Sequence, residues 1–149
     1  MKEIIKFFPT INAPAHTKMP QRGTKFSAGY DFYAPCDIYI PAHGVSKLVP
    51  FNIKAEMPGD MFLLMKIRSG LSVKHNIMLA CSGVIDADYF GNADNDGNIG
   101  AKFCNLGDKD YVIQKGERCM QGIFLKYGVV FGDVAQGERG GGYGSTGKN

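Results

Sequence analysis

Alternating apolar and polar positions in the middle of the chain predict a β-strand. Phe51, Ile53 and Ala55 alternate with polar side chains at positions 52, 54 and 56, so one face of the strand is apolar. Residues 61–65 are apolar without interruption, which favours a strand buried on both faces. Both segments indicate sheet rather than helix.

Short apolar segments of this kind recur along the chain. Further candidate strands are residues 4–8, 30–33, 37–40, 45–49, 77–79, 99–103, 111–113 and 123–127. Turn-forming Gly, Pro and Asp residues lie between them, for example at 57–60 and 106–108. This spacing predicts an all-β barrel or jelly roll. The sequence favours one helix, a short one at 69–74.

Glycine supplies 20 of the 149 residues, about twice its usual share. Because Gly costs about 1 kcal/mol at each helix-interior position, this composition excludes a helix bundle or coiled coil. The length fits one ordinary domain. Six of the glycines fall in the last 13 residues. We therefore expect one domain at 1–136, followed by a mobile tail at 137–149.

Charge and cysteine content narrow the class of partner. The formal net charge of +3 is too small to indicate nucleic-acid binding. No segment reaches the roughly 20 apolar residues of a membrane helix, and the N-terminus lacks the apolar core of a secretory signal. The four cysteines show neither metal-ligand spacing nor a disulfide framework. We expect a cytoplasmic protein with buried thiols, no membrane partner and no need for nucleic acid.

Two familiar motifs fit this sequence only in part. The tail matches GxGxxG and nearly matches a P-loop, but the strand and helix that those motifs require are missing. Its backbone N–H groups and hydroxyls still suit phosphate oxygens, and a disordered tail is the alternative. Residues 92–97 resemble the start of an EF-hand loop, yet Phe103 stands where Glu is required. A hairpin turn built on Asp96 and Gly97 explains this segment better.

Two other segments carry groups suited to catalysis and to anion binding. Asp86 and Asp88 have a spacing that, in a strand, places both carboxylates on one face. A carboxylate there can act as a base on water, and a solvated acidic turn is the alternative. Arg68 and Ser69 follow an apolar strand at the predicted start of a helix, which suits a phosphate. A surface arginine is the alternative for Arg68.

Five short segments, these two and the tail among them, occur in a fixed order. They are residues 28–32 (AGYDF), 68–71 (RSGL), 83–91 (GVIDADYFG), 116–121 (GERCMQ) and 139–147 (RGGGYGSTG). They resemble the five motifs of the trimeric deoxyuridine triphosphate nucleotidohydrolase (dUTPase) family, and five in order are specific where each alone is weak. The resemblance implies a distorted jelly-roll-like β-barrel, hydrolysis of dUTP to dUMP and pyrophosphate, and a homotrimer whose sites draw on more than one chain.

The third motif carries the reaction in this resemblance. Asp86 matches the carboxylate that orients and deprotonates a water, which then attacks the α-phosphorus. Tyr89 matches the aromatic residue that lies under the deoxyribose and leaves no room for a 2′-hydroxyl. Phosphoryl transfer needs an in-line nucleophile and neutralised oxygens. The resemblance implies that Mg²⁺ supplies part of this neutralisation, held by the three phosphates and waters without a direct protein ligand.

The phosphates and the base are assigned in the same way. The resemblance implies phosphate contacts from Arg68, Ser69, Gly70 and Gln121. Asp31 matches a carboxylate that fixes an arginine beside them. Uracil would be read by main-chain groups of a hairpin at 80–85 and of the nearby Gly100. The hairpin positions concerned are Ala80, Gly83, Val84 and Ile85.

The fifth motif would close over the nucleotide as a lid. In the resemblance, Arg139 pairs with the γ-phosphate and Tyr143 stacks on uracil. The residues that would hold phosphate oxygens are Gly144, Ser145 and Thr146.

The chain departs from the family pattern in four places, one of which is the spacing from Arg139 to Tyr143, one residue shorter than the longest family pattern. Residues 92–98 lengthen the connection after the third motif, and we expect a longer hairpin tip beyond the uracil pocket. Met120 stands where a small Ala is usual, which would shift Gln121. Tyr143 replaces a Phe, so stacking is kept and a hydroxyl is added.

Two other functions fit the same fold. One is a dCTP deaminase, which shares the phosphate turn but not the order of residues 85–89. The other is a nucleotide-sensing or protein-binding module without activity, with residues 92–98 as its contact surface. The intact Asp86, Arg68 and Gln121 favour the hydrolase over both.

Overall fold

Short strands joined by tight turns make up most of the chain. A computed structural model describes residues 4–81, 83–144 and 146–147. In chain order the strands are β1 Lys6–Pro9, β2 Gln21–Arg22, β3 Tyr30–Tyr33, β4 Ile38–Ile40, β5 Val49–Pro50, β6 Ile53–Glu56, β7 Met61–Ile67, β8 Ile77–Leu79, β9 Val84–Asp86, β10 Gly100–Ala101, β11 Phe103–Asn105, β12 Tyr111–Ile113 and β13 Arg118–Lys126.

The central sheet has five antiparallel strands in the order β2-β3-β13-β7-β9. Two-stranded antiparallel ladders β1–β6, β10–β5, β11–β8 and β12–β4 surround it. Apart from β2 and β3, the strands that pair are not consecutive in the chain, as expected for a barrel assembled from crossing connections. The prediction of an all-β, distorted jelly-roll-like barrel is confirmed.

Strand β7 gives the barrel one side of its core. Met61, Leu63 and Met65 are buried, whereas Phe62 and Leu64 between them are half-buried. The prediction that residues 61–65 are buried on both faces is therefore wrong, because only alternate side chains enter the core. The buried face joins a cluster that includes the fully buried rings Phe32, Phe51 and Phe103.

Strand boundaries differ from the predicted ones where hydrophobicity is a poor guide. The C-terminal strand begins at Arg118, five residues before the predicted start, because polar side chains on its outer face interrupt the apolar pattern. The predicted strand at 99–103 is divided between β10 and β11. The predicted strand at 45–49 reduces to an isolated bridge from Val45 to Cys104 and the start of β5.

The helix α1, Ser69–His75, confirms the predicted helix at 69–74 to within one residue. Arg68 is extended at its N-cap, and Asn76 ends it in the left-handed conformation at φ 57°. Lys74 and His75 occupy its last turn, where a positive charge interacts favourably with the negative end of the helix dipole. No helix in the described part of the chain is long and apolar enough to cross a membrane.

All four cysteines are free, but they differ in exposure. Cys119 is buried, and burial raises the pKa of its thiol to about 12. Its thiol donates a hydrogen bond to the carbonyl of Phe32. Cys36 and Cys81 are exposed, so the prediction of buried thiols is wrong for these two. Both lie in turns after strands, where no core is available to cover them.

Candidate active site

The carboxylates of the third motif lie where β9 ends and the chain turns. β9 pairs with β7, and this register places Asp86 opposite Phe62. A 3₁₀ turn follows at Ala87–Tyr89, so Asp88 lies outside the strand. The two carboxylates therefore do not share one face of a strand, contrary to the prediction from their spacing. Both side chains are about half exposed, at 53% for Asp86 and 58% for Asp88. Water can therefore reach either carboxylate.

Arg139 joins these two carboxylates. Its Nη2 donates to Asp86 Oδ2 at 2.6 Å and its Nε donates to Asp88 Oδ1 at 2.7 Å. The guanidinium lies over the Tyr89 ring, 6.0 Å from the ring centre, and only 19% of the side chain is exposed. The hydrogen bond to Asp88 raises the pKa of Arg139 above its already high value. The tail thus places a permanent positive charge beside Asp86.

The rest of the tail continues across the same surface. Gly142 lies so close to the Tyr89 ring that a Cβ would be 2.7 Å from a ring carbon. Similarly, a Cβ on Gly100 would overlap the Tyr143 hydroxyl. Although 64% of Tyr143 is exposed, desolvation is the main cause that raises the pKa of its hydroxyl. Two positions predicted to contact uracil, Gly100 and Tyr143, therefore lie together, because Gly100 has no side chain to keep the Tyr143 hydroxyl away.

The predicted uracil hairpin is a connection between two ladders. Strand β8 pairs with β11 and β9 pairs with β7, so the strands on either side of residues 80–83 are not paired with each other. Ala80 N–H donates to the Lys102 carbonyl at 2.8 Å, and Met65 N–H donates to the Gly83 carbonyl at 2.7 Å. Gly83 has φ 68° and contacts Met65, which leaves no room for a side chain.

A second group of predicted residues surrounds Asp31. Its side chain is 11% exposed, and its carboxylate lies 3.3 Å from Arg68 Nε and 3.5 Å from Arg118 Nη1. On the neighbouring strand Gln121 pairs with Asp31, and its side chain lies over Gly29, where a Cβ would overlap the Gln121 amide. Asp31 therefore lies within ion-pair distance of two arginines, and Gly29 provides the space that Gln121 occupies.

The strand bulge beside this group orients its side chains. The β13–β3 register shifts between Arg118 and Met120, with the buried Cys119 in between. Met120 is fully buried in the core, while the half-buried Gln121 side chain contacts Gly29. Because side chains alternate along a strand, Met120 and Gln121 lie on opposite faces. Ser69 and Gly70 are exposed at the start of α1, next to Arg68.

One chain does not bring the two groups together. Asp86 lies opposite Phe62, near the start of β7. Gln121 lies opposite Lys66, near the end of β7, and Arg68 comes directly after that end. Arg68 is six residues after Phe62. At roughly 3.3 Å for each residue, Phe62 and Arg68 are about 20 Å apart. The carboxylate group and the Asp31 group are therefore distinct clusters within the chain.

Three features of the site were not predicted from the sequence. Arg118 shares Asp31 with Arg68, although it lies in the fourth motif and could have been noticed there. Gly29 lies in the first motif, but only the structure shows its contact with Gln121. Residues 92–98 fold back against Tyr89 instead of projecting as a hairpin tip. Of the remaining predicted positions, Val84, Gly144 and Thr146 are exposed, Ile85 is half-buried, and Ser145 lies outside the described residues.

Comparisons with known proteins identify the family of this chain. A family model described as dUTPase matches residues 15–147. The chain is 43% identical over 136 residues to the deoxyuridine 5′-triphosphate nucleotidohydrolase of Lactococcus lactis subsp. lactis, covering 89% of this chain and 90% of the relative. It is 40% identical over 142 residues to the enzyme of the same name from Debaryomyces hansenii, covering 88% and 81%.

Solved structures give the same result at the level of the fold. The crystal structure of dUTPase from Streptococcus mutans superposes with a TM-score of 0.77 at 34% identity, covering 85% of this chain and 98% of that one. A mutant dUTPase of phage phi11 of S. aureus, described as coordinating a structural Mg(II) ion, shares the fold at 18% identity and a TM-score of 0.71, covering 91% and 97%. The five motifs, the barrel and these matches show that the chain belongs to the dUTPase family.

Proposed function

We propose that this protein hydrolyses dUTP to dUMP and pyrophosphate at a site built around Asp86. The observation that supports this most directly is that Arg139 of the tail contacts both the solvent-accessible carboxylate of Asp86 and the aromatic ring of Tyr89. Family membership supports the reaction, and this arrangement supports the roles of the residues.

Asp86 is the base in this proposal. Its carboxylate orients a water and takes its proton while the water oxygen bonds to the α-phosphorus. The bond from that phosphorus to the oxygen bridging to the β-phosphate breaks, and pyrophosphate leaves with that oxygen. A positioned carboxylate suits this step because phosphoryl transfer depends chiefly on alignment and charge neutralisation.

The nucleoside would lie between Tyr89 and the tail. Tyr89 lies under the deoxyribose, and main-chain groups at 80–85 and Gly100 bind uracil. Tyr143 stacks on the base, which the observed contact between Tyr143 and Gly100 supports. In this proposal residues 137–149 are a lid on the barrel of residues 1–136, and Arg139 exchanges its carboxylate partners for the γ-phosphate when substrate binds.

The phosphates would be bound by the Asp31 group and by the lid. Arg68, Ser69, Gly70 and Gln121 contact phosphate oxygens, and Asp31 holds Arg68 in position. The lid contributes Gly144, Ser145 and Thr146. Backbone N–H groups and hydroxyls of such small residues approach phosphate closely.

Magnesium would be held through the substrate. No group of three His, Cys, Asp or Glu side chains suited to an ion occurs in residues 4–81, 83–144 and 146–147. Two carboxylates near the α-phosphate position fall short of the six oxygen ligands that Mg²⁺ takes, so phosphate oxygens and waters would complete the shell. When bound, the ion would neutralise phosphate charge. The cytoplasm is the proposed compartment, since four free thiols suit reducing conditions.

A homotrimer would unite the two separated clusters. The carboxylate group of one chain would face the Asp31 group of a neighbour, because a single chain holds them about 20 Å apart. The segment before the tail supports this assembly: Val129, Val130 and Phe131 are 71%, 78% and 108% exposed. Apolar side chains so exposed are typical of surfaces that a partner covers.

Mixed trimers test this assembly. Asp86→Asn damages one cluster and Arg68→Ala the other, so each variant alone is expected to be nearly inactive. When the two are co-expressed, random assembly leaves about a quarter of the sites with both clusters intact, and activity should return to that level. Light scattering should give the mass of three chains. No recovery in mixed oligomers would place both clusters of a site in one chain.

The reaction itself is tested with a substrate panel. Pyrophosphate and ammonia are measured after incubation with dUTP, dCTP or dTTP and Mg²⁺. We expect pyrophosphate from dUTP alone and no ammonia from any nucleotide. Ammonia from dCTP would indicate a deaminase, and folded protein that binds dUTP without releasing pyrophosphate would indicate a sensing module.

A further inference from the structure

Residues 92–98 form an ordered loop whose side chains bond to one another. Asn92 Nδ2 donates to the Tyr89 carbonyl and to Asn95 Oδ1, at 2.8 and 2.9 Å. Asn92 Oδ1 accepts from the N–H groups of Asp94 and Asn95, and Asn95 Oδ1 accepts from Gly97 N–H at 3.1 Å. These bonds satisfy several polar groups of a tight loop locally, within the loop and at the adjacent Tyr89 carbonyl.

The loop is also fixed to the barrel. Asp96 accepts two hydrogen bonds from Lys54 Nζ, at 2.8 and 2.9 Å, and a third from the Ile11 N–H at 2.8 Å. The bond to Lys54 is the main reason why the pKa of Asp96 is lowered. Asp96 and Gly97 have φ angles of 58° and 78°, as a type I′ turn requires. The predicted turn at these residues is present, although it leads back to the barrel instead of joining paired strands.

The loop holds the Tyr89 hydroxyl from two sides. Asn95 Nδ2 donates to the hydroxyl oxygen at 2.7 Å, and the hydroxyl donates to the Asn98 carbonyl at 2.9 Å. Tyr89 is 7% exposed, so these bonds are largely shielded from water. A ring fixed at its hydroxyl end and at its backbone cannot tilt without losing a hydrogen bond.

We propose that residues 92–98 are a specificity element, in which Asn95 positions the Tyr89 ring and so sharpens the exclusion of ribonucleotides. This inference rests on the proposed role of Tyr89 under the deoxyribose. A ring in that place excludes a 2′-hydroxyl by its distance from C2′, and a ring free to tilt gives the hydroxyl room. Asn95 does not touch the sugar and acts only through Tyr89.

The loop also meets the tail. A Cβ on Gly141 would lie 2.9 Å from the Asp94 Cβ, so the glycine allows the tail to pass against the loop. One side of the loop therefore contacts the Tyr89 hydroxyl and another contacts the segment that carries Arg139 and Tyr143. This position places the loop within the site rather than on a remote surface.

The variant Asn95→Asp tests the inference with little change in shape. It keeps the Oδ1 that accepts from Asn92 and Gly97, and replaces the amide that donates to Tyr89 by an oxygen. Affinities for dUMP and UMP are measured by calorimetry, since neither nucleotide has a phosphoanhydride bond to hydrolyse. We expect the preference for dUMP over UMP to fall roughly threefold to tenfold, the effect of losing one hydrogen bond.

The matched background is Tyr89→Phe, which lacks the hydroxyl. There, Asn95→Asp should leave the dUMP-to-UMP ratio unchanged, because its only route to the sugar is already absent. The inference would be overturned if Asn95→Asp lowered the dUMP-to-UMP ratio equally in both backgrounds. It would also be overturned if the substitution left this ratio unchanged in the protein that retains Tyr89. A lower melting temperature with an unchanged ratio would assign the loop a structural role only.

The same measurements separate this inference from the proposed reaction. Wild-type protein that prefers dUMP but releases no pyrophosphate from dUTP would refute the reaction and leave the role of Asn95 standing. If the wild-type protein hydrolyses dUTP and the Asn95→Asp variant keeps its full preference for dUMP over UMP, the role of Asn95 is refuted and the reaction stands.

Discussion

Replacing Asp86 by asparagine should lower kcat for dUTP by about 10²–10⁴-fold while nucleotide binding is retained. Asparagine has nearly the shape of aspartate but cannot take a proton from water. Because 53% of the side chain is exposed, the loss of charge should cost little stability. Pyrophosphate release gives kcat, calorimetry gives the affinity for dUTP, and the melting temperature confirms the fold.

Asp88→Asn is the matched control for this substitution. It removes the same charge two residues away and leaves the hydrogen bond from Arg139 Nε to a neutral amide oxygen, without its charge assistance. If Asp86 acts on water, Asp88→Asn should change kcat much less. Similar losses of kcat for both variants would mean that the carboxylates serve only to hold Arg139, and equal loss of binding and turnover in Asp86→Asn would make Asp86 structural.

Deleting residues 139–149 should lower kcat for dUTP by about a hundredfold, because the proposed lid would align the substrate and exclude water. Stability should change little, since the tail adds few side chains to the core. The ion pairs of Arg139 involve carboxylates that are more than half exposed, so their loss should lower the melting temperature by only about 2–4 °C. Pyrophosphate release and thermal unfolding measure the two quantities.

Substitutions of Tyr143 show which part of the lid matters. Tyr143→Phe keeps the ring and should preserve turnover, whereas Tyr143→Ala removes the stacking surface and should raise KM for dUTP. A large fall in melting temperature on truncation would contradict the assignment of residues 137–149 as a lid, because it would make the tail part of the folded barrel.

The sequence was sufficient to predict the fold class and the only α-helix found among the described residues. Alternating positions such as Ile53 and Ala55 carry strong strand signals, and α1 has clear limits at Arg68 and Asn76. Strand ends were less predictable, because Arg118 and Gln121 are polar residues on the outer face of β13. Cysteine exposure could not be read from the sequence, because it depends on whether a turn reaches the core.

The candidate site was predictable residue by residue only through the resemblance, and its arrangement was not. Arg139 is 53 residues from Asp86 in the sequence, so no local pattern indicates that they meet. The contacts of Asn95 with Tyr89 depend on two consecutive left-handed residues that turn the loop back onto the ring. Such contacts follow from backbone geometry, which hydrophobic periodicity does not record.

The separation of the two clusters along β7 has a consequence for enzyme at low concentration. A chain that needs its neighbour's residues is inactive when alone, so turnover per chain should depend on how much of the protein is assembled. On dilution below the dissociation constant of the oligomer, specific activity should fall, while saturating nucleotide bound between chains should oppose the loss. The amount of protein in the cell would then control dUTP removal more steeply than in direct proportion.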